Sequence, residues 1–161
     1  LAVAKRQGRL HRNFQGYSTQ PDCDLIGLGV SAIGKVGATY SQNAKDLIEY
    51  QDLIDQGMVP VVRGLAVTRD DLLRRAVIMA LMCQGDVQFE SIEASYLIDF
   101  KSYFAQELER LRPMQDDGLV VLHEQAIEVT DLGWFFVRGV AMVFDKYLQA
   151  ARDRARFSKI L

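Results

Sequence analysis

Cysteine is scarce in this sequence, and its placement excludes two common uses of the residue. Only Cys23 and Cys83 occur among 161 residues, and there is no C-x-x-C motif. The ligand spacings of zinc sites and the dithiol spacing of redox motifs are therefore absent. Two isolated cysteines are typical of a protein in a reducing compartment, so we expect two free thiols and a cytoplasmic location.

Long apolar runs and a strong excess of charge of one sign are also absent. No segment approaches the roughly 18–20 consecutive apolar residues that a membrane span requires. The chain carries 19 basic and 21 acidic side chains, a net charge of −2. This balance gives no general electrostatic attraction to nucleic acid or to an anionic membrane, so we expect neither as a partner. The sequence begins with Leu1, and LAVAKRQGRL resembles the last turns of a helix, so we expect a piece of a longer chain.

Glycine is concentrated near the start of the chain. Five glycines fall within residues 16–37, and the strand-like pieces there, HRNFQGY and DLIGLGVSAI, are short. Glycine weakens strands and helices alike, so this density indicates backbone close to another backbone or to a ligand. After it, AKDLIEYQDLIDQG (residues 44–57) has the apolar spacing of an amphipathic helix that ends at Gly57.

The second part of the chain predicts helices more clearly. Thr68, with Asp71 three residues on, forms a capping box that predicts a helix with one apolar stripe as far as Gly85. Further helices are predicted over residues 89–97 and from about Asp99 to the residue before Pro113.

The last part of the chain predicts a hairpin and a helix. LVVLHEQAIEVT (residues 119–130) has two β-rich pieces that flank HEQA, which favours a β-hairpin. Thr130 or Asp131 is expected to cap one long helix through WFFVRGVAMVFDKYLQ. The aromatic residues 134–136 are expected in the core or at a contact between domains. The order helix, helix, helix, hairpin, helix is typical of a winged-helix-like unit.

Two possible sites are weak when they are judged by their residues. GLGVSA (residues 27–32) matches G-x-G-x-x-A, but a dinucleotide site needs a helix directly after it, and IGKVGATY is a poor helix start. We therefore interpret GLGVSA as a buried strand whose glycines allow tight packing. A metal site requires several cysteine or carboxylate neighbours, and His123 has Glu124 alone beside it in a predicted loop, so it is interpreted as a solvated turn histidine and no metal site is predicted.

The winged-helix order raises DNA binding as an alternative function. Recognition of DNA needs a basic reading helix and contacts to phosphate. Residues 99–117 contain 3 basic and 5 acidic side chains, which disfavours such a helix. A winged-helix regulator remains the alternative from another class, and basic surface patches would reveal it.

The segment LHRNFQGYSTQ (residues 10–20) gathers varied hydrogen-bonding side chains around one phenylalanine, without periodicity. Such a segment is typical of a loop or strand end that faces a ligand. Together with DCDLIGLGVSAI, YSQN, RGLAVTRDDLLRR, a DGLV…T-x-L-G segment and the terminal FSKIL, it closely resembles the C-terminal part of oxygen-independent coproporphyrinogen III oxidase. This family consists of radical S-adenosylmethionine enzymes, and the resemblance extends over essentially all 161 residues.

The resemblance implies an oxidoreductase of haem biosynthesis that decarboxylates coproporphyrinogen III to protoporphyrinogen IX. The family uses S-adenosylmethionine, with a second copy near the first, and a [4Fe–4S] cluster on a C-x-x-x-C-x-x-C motif. The implied fold is α+β and mostly helical. Residues 1–62 would be the end of a partial (β/α) radical-enzyme barrel, and residues 63–161 a winged-helix-like helical C-terminal domain with one β-hairpin. A related haem-handling protein with the same C-terminal domain is a further alternative.

The resemblance also implies roles for three residues. Phe14 and Gln15 would lie at the cluster and cofactor end of the barrel, and Ile33 would contact the second S-adenosylmethionine. A glutamine amide offers both a donor and an acceptor to such a ligand. Arg12 could pair with a carboxylate of the cofactor or of a substrate propionate, or with an acid elsewhere in the barrel.

The sequence departs from the family pattern because the three cluster cysteines are missing. We therefore assign no catalytic residue and no metal ligand here, and expect this chain alone to be inactive. The parent enzyme is expected to be a monomer. An isolated barrel end would expose a sheet edge, so we expect residues 1 to about 40 to be poorly ordered or to mediate self-association.

Overall fold

The computed structural model describes residues 1–13, 15–21 and 23–152, and it shows mixed helix and sheet, which confirms the α+β class. The elements before residue 67 are α1 (Ala2–Arg6), β1 (His11–Asn13), β2 (Gly16–Ser18), β3 (Ile33–Val36), β4 (Thr39–Asn43), α2 (Leu47–Asp55) and β5 (Val61–Ala66). Strands β1 and β2 form a hairpin, and β3, β4 and β5 form an antiparallel sheet in that order.

The interpretation of GLGVSA as a buried strand is wrong. The segment before β3 makes a single bridge, Leu25 to Lys35, and the Leu28 side chain is 86% exposed. In place of a partner strand, the Asn43 side-chain amide donates to the carbonyls of Gly27 and Gly29 at 3.1 and 2.9 Å. Glycine at position 29 allows this looped path, because Gly29 has a φ of +97°. A close backbone approach does occur, since a Cβ on Gly27 would lie 2.7 Å from the carbonyl oxygen of Ile33.

Helix α2 forms where its pattern predicts it. The Asp46 side chain accepts from the backbone N–H groups of Ile48 and Glu49, and Gly57 has a left-handed φ of +71° just beyond the helix end. Its apolar face remains exposed, with Ile48 at 70%. All six residues of the edge strand β5 are exposed as well, so this side of the chain presents an uncovered apolar surface.

The elements after residue 67 surround the main core. They are α3 (Arg69–Gln84), β6 (Asp86–Gln88), α4 (Phe89–Tyr96), α5 (Phe100–Tyr103), α6 (Ala105–Asp116), β7 (Val120–Leu122), β8 (Ala126–Val129), a 3₁₀ turn (Gly133–Phe136), α7 (Val137–Met142) and α8 (Lys146–Arg152). Helix α3 begins with the predicted capping box and ends at Gly85 in the left-handed conformation. Among the described residues, no helix is both long and apolar enough to cross a bilayer.

Aromatic packing holds the helices of this part together. The Phe89 and Phe100 rings stack with centroids 4.1 Å apart, and Phe104 meets Phe144 edge-on at 5.4 Å. All four side chains are at most 2% exposed. Burial of each contributes roughly 1.5–3 kcal/mol, so this group joins α4, α5, α6 and the end of α7 into one unit.

The predicted hairpin is confirmed, and a third strand joins it. Strand β7 pairs antiparallel with β8, and β8 pairs on its other side with β6, which gives the order β6-β8-β7. Only three residues form β6, which is too short for periodicity to reveal.

Two predicted helix ends differ from the structure. Helix α6 continues through Pro113 to Asp116; the proline is exposed and lies in the last turn, where it removes one helical bond. The long final helix is instead three short pieces. Thr130 Oγ1 accepts from Gly133 N at 2.9 Å as the expected cap, but the Asp145 side chain accepts from the N–H groups that follow it and starts a new helix.

Residues 134–136 are expected in the core or at a contact between domains, and the core placement holds for one of the three. Phe135 is 86% exposed and Phe136 is 50% exposed. A 3₁₀ turn distributes three consecutive side chains around its axis, so only one can face the core. That one is Trp134, which packs against the core cluster and contacts α1 through Lys5, whose Nζ lies 3.2 Å from the ring centroid.

Candidate functional site

A cavity of about 500 Å³ lies where the β1–β2 hairpin, β3, β4 and α3 meet. Its volume is within the range of small-molecule binding sites. The predicted site residues Arg12, Gln15 and Ile33 all line it. Phe14 lies outside the described residues. The structure thus brings three of the four predicted residues to one cavity, although Ile33 is far from the others in sequence.

Strand pairing positions Arg12 at this cavity. Arg12 lies opposite Tyr17 in the hairpin, with its guanidinium carbon 5.7 Å from the Tyr17 ring centroid. Tyr17 Oη donates to the carbonyl of Met82 at 3.0 Å and so joins the hairpin to the last turn of α3. Burial raises the pKa of the Tyr17 hydroxyl, and the Arg12 charge partly offsets this effect.

Gln15 occupies the turn of the hairpin. Its backbone N–H donates to Asn13 Oδ1 at 2.9 Å, which fixes the turn. Gly16 follows with a φ of +132°, a conformation that glycine adopts readily. The turn therefore presents the Gln15 amide at the cavity wall, where it can offer a donor and an acceptor.

Two cationic residues at the cavity were missed by sequence reasoning. Lys35 on β3 and Arg75 on α3 line it together with Arg12. Arg75 Nε donates to Tyr40 Oη at 3.0 Å, which holds the guanidinium against the wall. Helical spacing gives one clue, because Arg75 and Met79 are four residues apart on α3 and both line the cavity.

The positive charge of this region also acts on the buried thiol of Cys83. Burial raises the pKa of the Cys83 thiol, while the charges of Arg12 and Arg75 act in the opposite direction. Two guanidinium groups from different elements are thus close enough to influence one thiol. Guanidinium groups of this kind are able to pair with carboxylates.

The cysteines and histidines form no metal site in the described part of the chain. Cys23 is exposed and lines the cavity, whereas Cys83 is buried, and both are free thiols. His123 Nε2 lies 3.0 Å from a carboxylate oxygen of Glu128 near the exposed hairpin, and His11 lines the cavity. Within the described ranges, no group of three His, Cys, Asp or Glu side chains could hold a metal ion.

Comparisons with known proteins define the class of this chain. Residues 67–136 match the family described as the HemN C-terminal domain. A HemN structure from Escherichia coli, described as a coproporphyrinogen III oxidase that is a radical SAM enzyme, superimposes with a TM-score of 0.86 and 48% identity. That alignment covers 91% of this chain and 34% of the other. Residues 67–136 are therefore similar to a HemN C-terminal domain.

Curated sequences narrow the class further. The oxygen-independent coproporphyrinogen III oxidase of Pseudomonas aeruginosa is 46% identical over all 161 residues, and that of Escherichia coli K12 is 45% identical. The chain spans 35% of the length of each of these relatives. Along its whole length the chain is therefore similar to part of oxygen-independent coproporphyrinogen III oxidases, which bears out the resemblance seen in the sequence.

Proposed function

We propose that this chain is the C-terminal part of an oxygen-independent coproporphyrinogen III oxidase, which converts coproporphyrinogen III to protoporphyrinogen IX in haem biosynthesis. Enzymes of that name are similar to it along its entire length. The single observation that carries the proposal is the cavity, which gathers Arg12, Gln15 and Ile33 at one site.

We propose two units within the chain. Residues 1–62 would complete a partial (β/α) barrel, and residues 63–161 would form a winged-helix-like domain. The family match begins at residue 67, which supports a boundary in this region. Helix α3, the helices after it and the sheet β6-β8-β7 are compatible with the second unit. Strand β5 spans the boundary and pairs with β4, so the join is a paired strand and not a loose linker.

The cavity has suitable chemistry for S-adenosylmethionine. Its described lining offers the cation of Arg12 for a carboxylate, the amide of Gln15 for polar edges, and the apolar side chains of Leu25 and Ile33. When bound, the cofactor and a [4Fe–4S] cluster supply the one-electron oxidising chemistry that the decarboxylation needs. We propose that the cluster ligands lie outside the described residues of this chain.

The chain's own residues would then bind and orient the reactants. Arg12 would pair with a carboxylate, and Gln15 would fix the orientation of a polar ligand at the hairpin turn. Ile33 and Leu25 would exclude water from one side of the cavity, which strengthens the polar contacts on the other side. No residue of this chain is assigned a proton transfer or a bond-breaking role.

The test uses the intact gene product that contains this chain. Purified under anaerobic conditions, it should contain iron and cleave S-adenosylmethionine when reduced. It should also form protoporphyrinogen IX from coproporphyrinogen III. Absence of iron and of cofactor cleavage would refute the proposal. If cleavage occurs without protoporphyrinogen, the protein is a haem-handling relative, and the proposed substrate is wrong.

We propose that the intact protein is a cytoplasmic monomer and that the isolated chain self-associates. Exposed strand β5 and the apolar face of α2 support self-association, because an unpaired edge with apolar side chains favours pairing between copies. Sedimentation of the 161-residue chain should show species larger than the 18.2 kDa monomer. A single monomeric species at all concentrations would contradict this.

A further inference from the structure

We propose that Asn43 is a positioning residue for the cavity of the candidate site, because its side-chain amide holds the loop of residues 27–32. That loop places Leu25 and Ile33, which flank it, as an apolar wall for bound S-adenosylmethionine. The identity of this ligand rests on the proposed function, whereas the constraint on the loop depends only on residues of this chain.

The loop of residues 27–32 connects two residues of the cavity wall. Leu25 lies before it and Ile33 directly after it, and both line the cavity. Leu25 and Lys35 exchange two backbone hydrogen bonds, of 2.6 and 2.7 Å, which close the loop at its base. The position of the two apolar side chains therefore depends on the path of the loop between them.

Asn43 lies at the end of β4 and is only 6% exposed. Its amide nitrogen donates to the Gly27 carbonyl at 3.1 Å and to the Gly29 carbonyl at 2.9 Å. Its backbone N–H donates to the Ala32 carbonyl at 2.9 Å. An aspartate of the same shape would face the two glycine carbonyls with acceptors only, so the contact requires the amide.

Contacts from nearby residues hold the same loop. The Ser31 N–H donates to the Ala44 carbonyl at 2.7 Å, and the Gly29 N–H donates to the Tyr50 hydroxyl at 3.2 Å. Ser31 has a φ of +56°, a left-handed conformation that is uncommon for a residue with a side chain. Such a conformation persists where the surrounding contacts impose it. The path of the loop is therefore set by these contacts together with those of Asn43.

Contact between the loop and Ile33 transmits a displacement of the loop to the cavity. A Cβ on Gly27 would lie 2.7 Å from the carbonyl oxygen of Ile33, so the two backbones are already in contact. Without the Asn43 amide the loop would adopt several paths, and only a fraction of the molecules would keep the apolar wall in place. The apparent affinity for a ligand falls in proportion to that fraction.

The experiment compares variants of the intact gene product in two measurements. Hydrogen exchange, read by mass spectrometry, reports opening of the loop, and equilibrium dialysis reports binding of S-adenosylmethionine to the unreduced protein. N43A removes the amide, and N43D keeps its shape without the two donors. T130V is the matched control, because it also removes side-chain hydrogen bonds to backbone groups, those with the Gly118 carbonyl and the Gly133 N–H, away from the cavity lining.

We expect N43A and N43D to speed hydrogen exchange of residues 27–32 about 10- to 100-fold, the range for loss of two hydrogen bonds that protect a local segment. Binding of S-adenosylmethionine should weaken about 5- to 20-fold, which corresponds to a loop that keeps its path roughly 5–20% of the time. T130V should match the wild type in both measurements, although it lowers the urea midpoint. A merely structural role for Asn43 predicts instead that N43A and T130V lose stability alike and bind alike.

The inference is overturned if N43A and N43D bind S-adenosylmethionine as tightly as T130V does, or if exchange of the loop is unchanged. If neither Asn43 variant folds, as judged by circular dichroism, Y50F decides the question. It removes the acceptor of the Gly29 N–H and should weaken binding about 2- to 5-fold with faster loop exchange, and wild-type values for both would refute the inference.

The outcome for the wild type separates this inference from the proposed function. A wild type that binds no S-adenosylmethionine and forms no protoporphyrinogen refutes the proposed function, and loop exchange in N43A then decides whether Asn43 holds the loop. Wild-type binding that is unchanged in the Asn43 variants refutes this inference only.

Discussion

Replacing Gly133 with alanine should destabilise the chain strongly, although the change adds only one methyl group. Gly133 opens the 3₁₀ turn and is buried, and a Cβ built on it would lie 1.8 Å from the carbonyl oxygen of Leu119. Thr130 holds the Leu119 carbonyl near Gly133 through two hydrogen bonds. Its N–H donates to that same oxygen at 3.1 Å, and its hydroxyl donates to Gly118 O at 2.7 Å.

The magnitude follows from the separation that the methyl group requires. Real Cβ atoms essentially never come within 3.0 Å of such a neighbour, so the turn and the Leu119 carbonyl must separate by about 1.2 Å, the difference between 3.0 and 1.8 Å. Overpacking of this kind costs roughly 1–3 kcal/mol. Loss of the Thr130–Leu119 hydrogen bond adds about 1 kcal/mol. We expect G133A to lower the free energy of unfolding by ~2–4 kcal/mol.

Gly139 provides the matched control, because it lies in helix α7 with no heavy atom within 4 Å of an added Cβ. G139A should therefore raise the free energy of unfolding by about 0.5–1 kcal/mol, the helix preference for alanine over glycine. Urea denaturation of the 161-residue chain, followed by circular dichroism and by fluorescence of the single Trp134, measures both variants. The reasoning is refuted if G133A and G139A shift the urea midpoint in the same direction.

Two further predictions concern titratable groups. Burial would raise the pKa of the Asp71 carboxyl, but hydrogen bonds from Lys146 and Thr68 outweigh it and hold that pKa well below its usual value. A lowered folded-state pKa gives stability that is complete above the unfolded value near 4 and declines as the pH falls below it. D71N should therefore cost ~1–3 kcal/mol at pH 7 and less at pH 3, and equal costs at both pH values would contradict this. Ellman's reagent should modify exposed Cys23 in the native chain and buried Cys83, whose pKa burial raises, only in urea. Two fast-reacting thiols without urea would show that Cys83 is accessible.

Local features of the fold were predictable because their causes lie within a few residues. The Thr68–Asp71 capping box joins residues three apart, and both ends of α3 were identified correctly. The β7–β8 hairpin has the same local character, since the turn and its flanking strands are continuous in sequence.

Features that depend on distant residues were not predictable in this way. The path of GLGVSA is set by the amide of Asn43, about fifteen positions later, which replaces a strand partner. The break before α8 arises because the Asp145 side chain competes for backbone N–H groups within an apolar pattern that remains helical.

The residues of the candidate site also fall into two groups, those that the sequence indicated and those that only the structure revealed. Family resemblance indicated Gln15 and Ile33, the chemistry of a guanidinium indicated Arg12, and the structure places all three at one cavity. Lys35 lies in no motif, and Arg75 is the last residue of RGLAVTRDDLLRR, a segment to which no site role was assigned. Their presence at the cavity depends on how α3 packs against the hairpin and the sheet, which periodicity along one segment does not reveal.

The bond between the Tyr17 hydroxyl and the Met82 carbonyl has a mechanical consequence. It joins the hairpin that bears Arg12 to the end of α3, the helix that bears Arg75. These two walls of the cavity therefore cannot separate while the hydrogen bond is intact. Entry of a large ligand should then require movement of the cavity wall that β3 and β4 form. A Y17F substitution would remove this bond and let the hairpin move relative to α3, while β3 and β4 would stay unaltered.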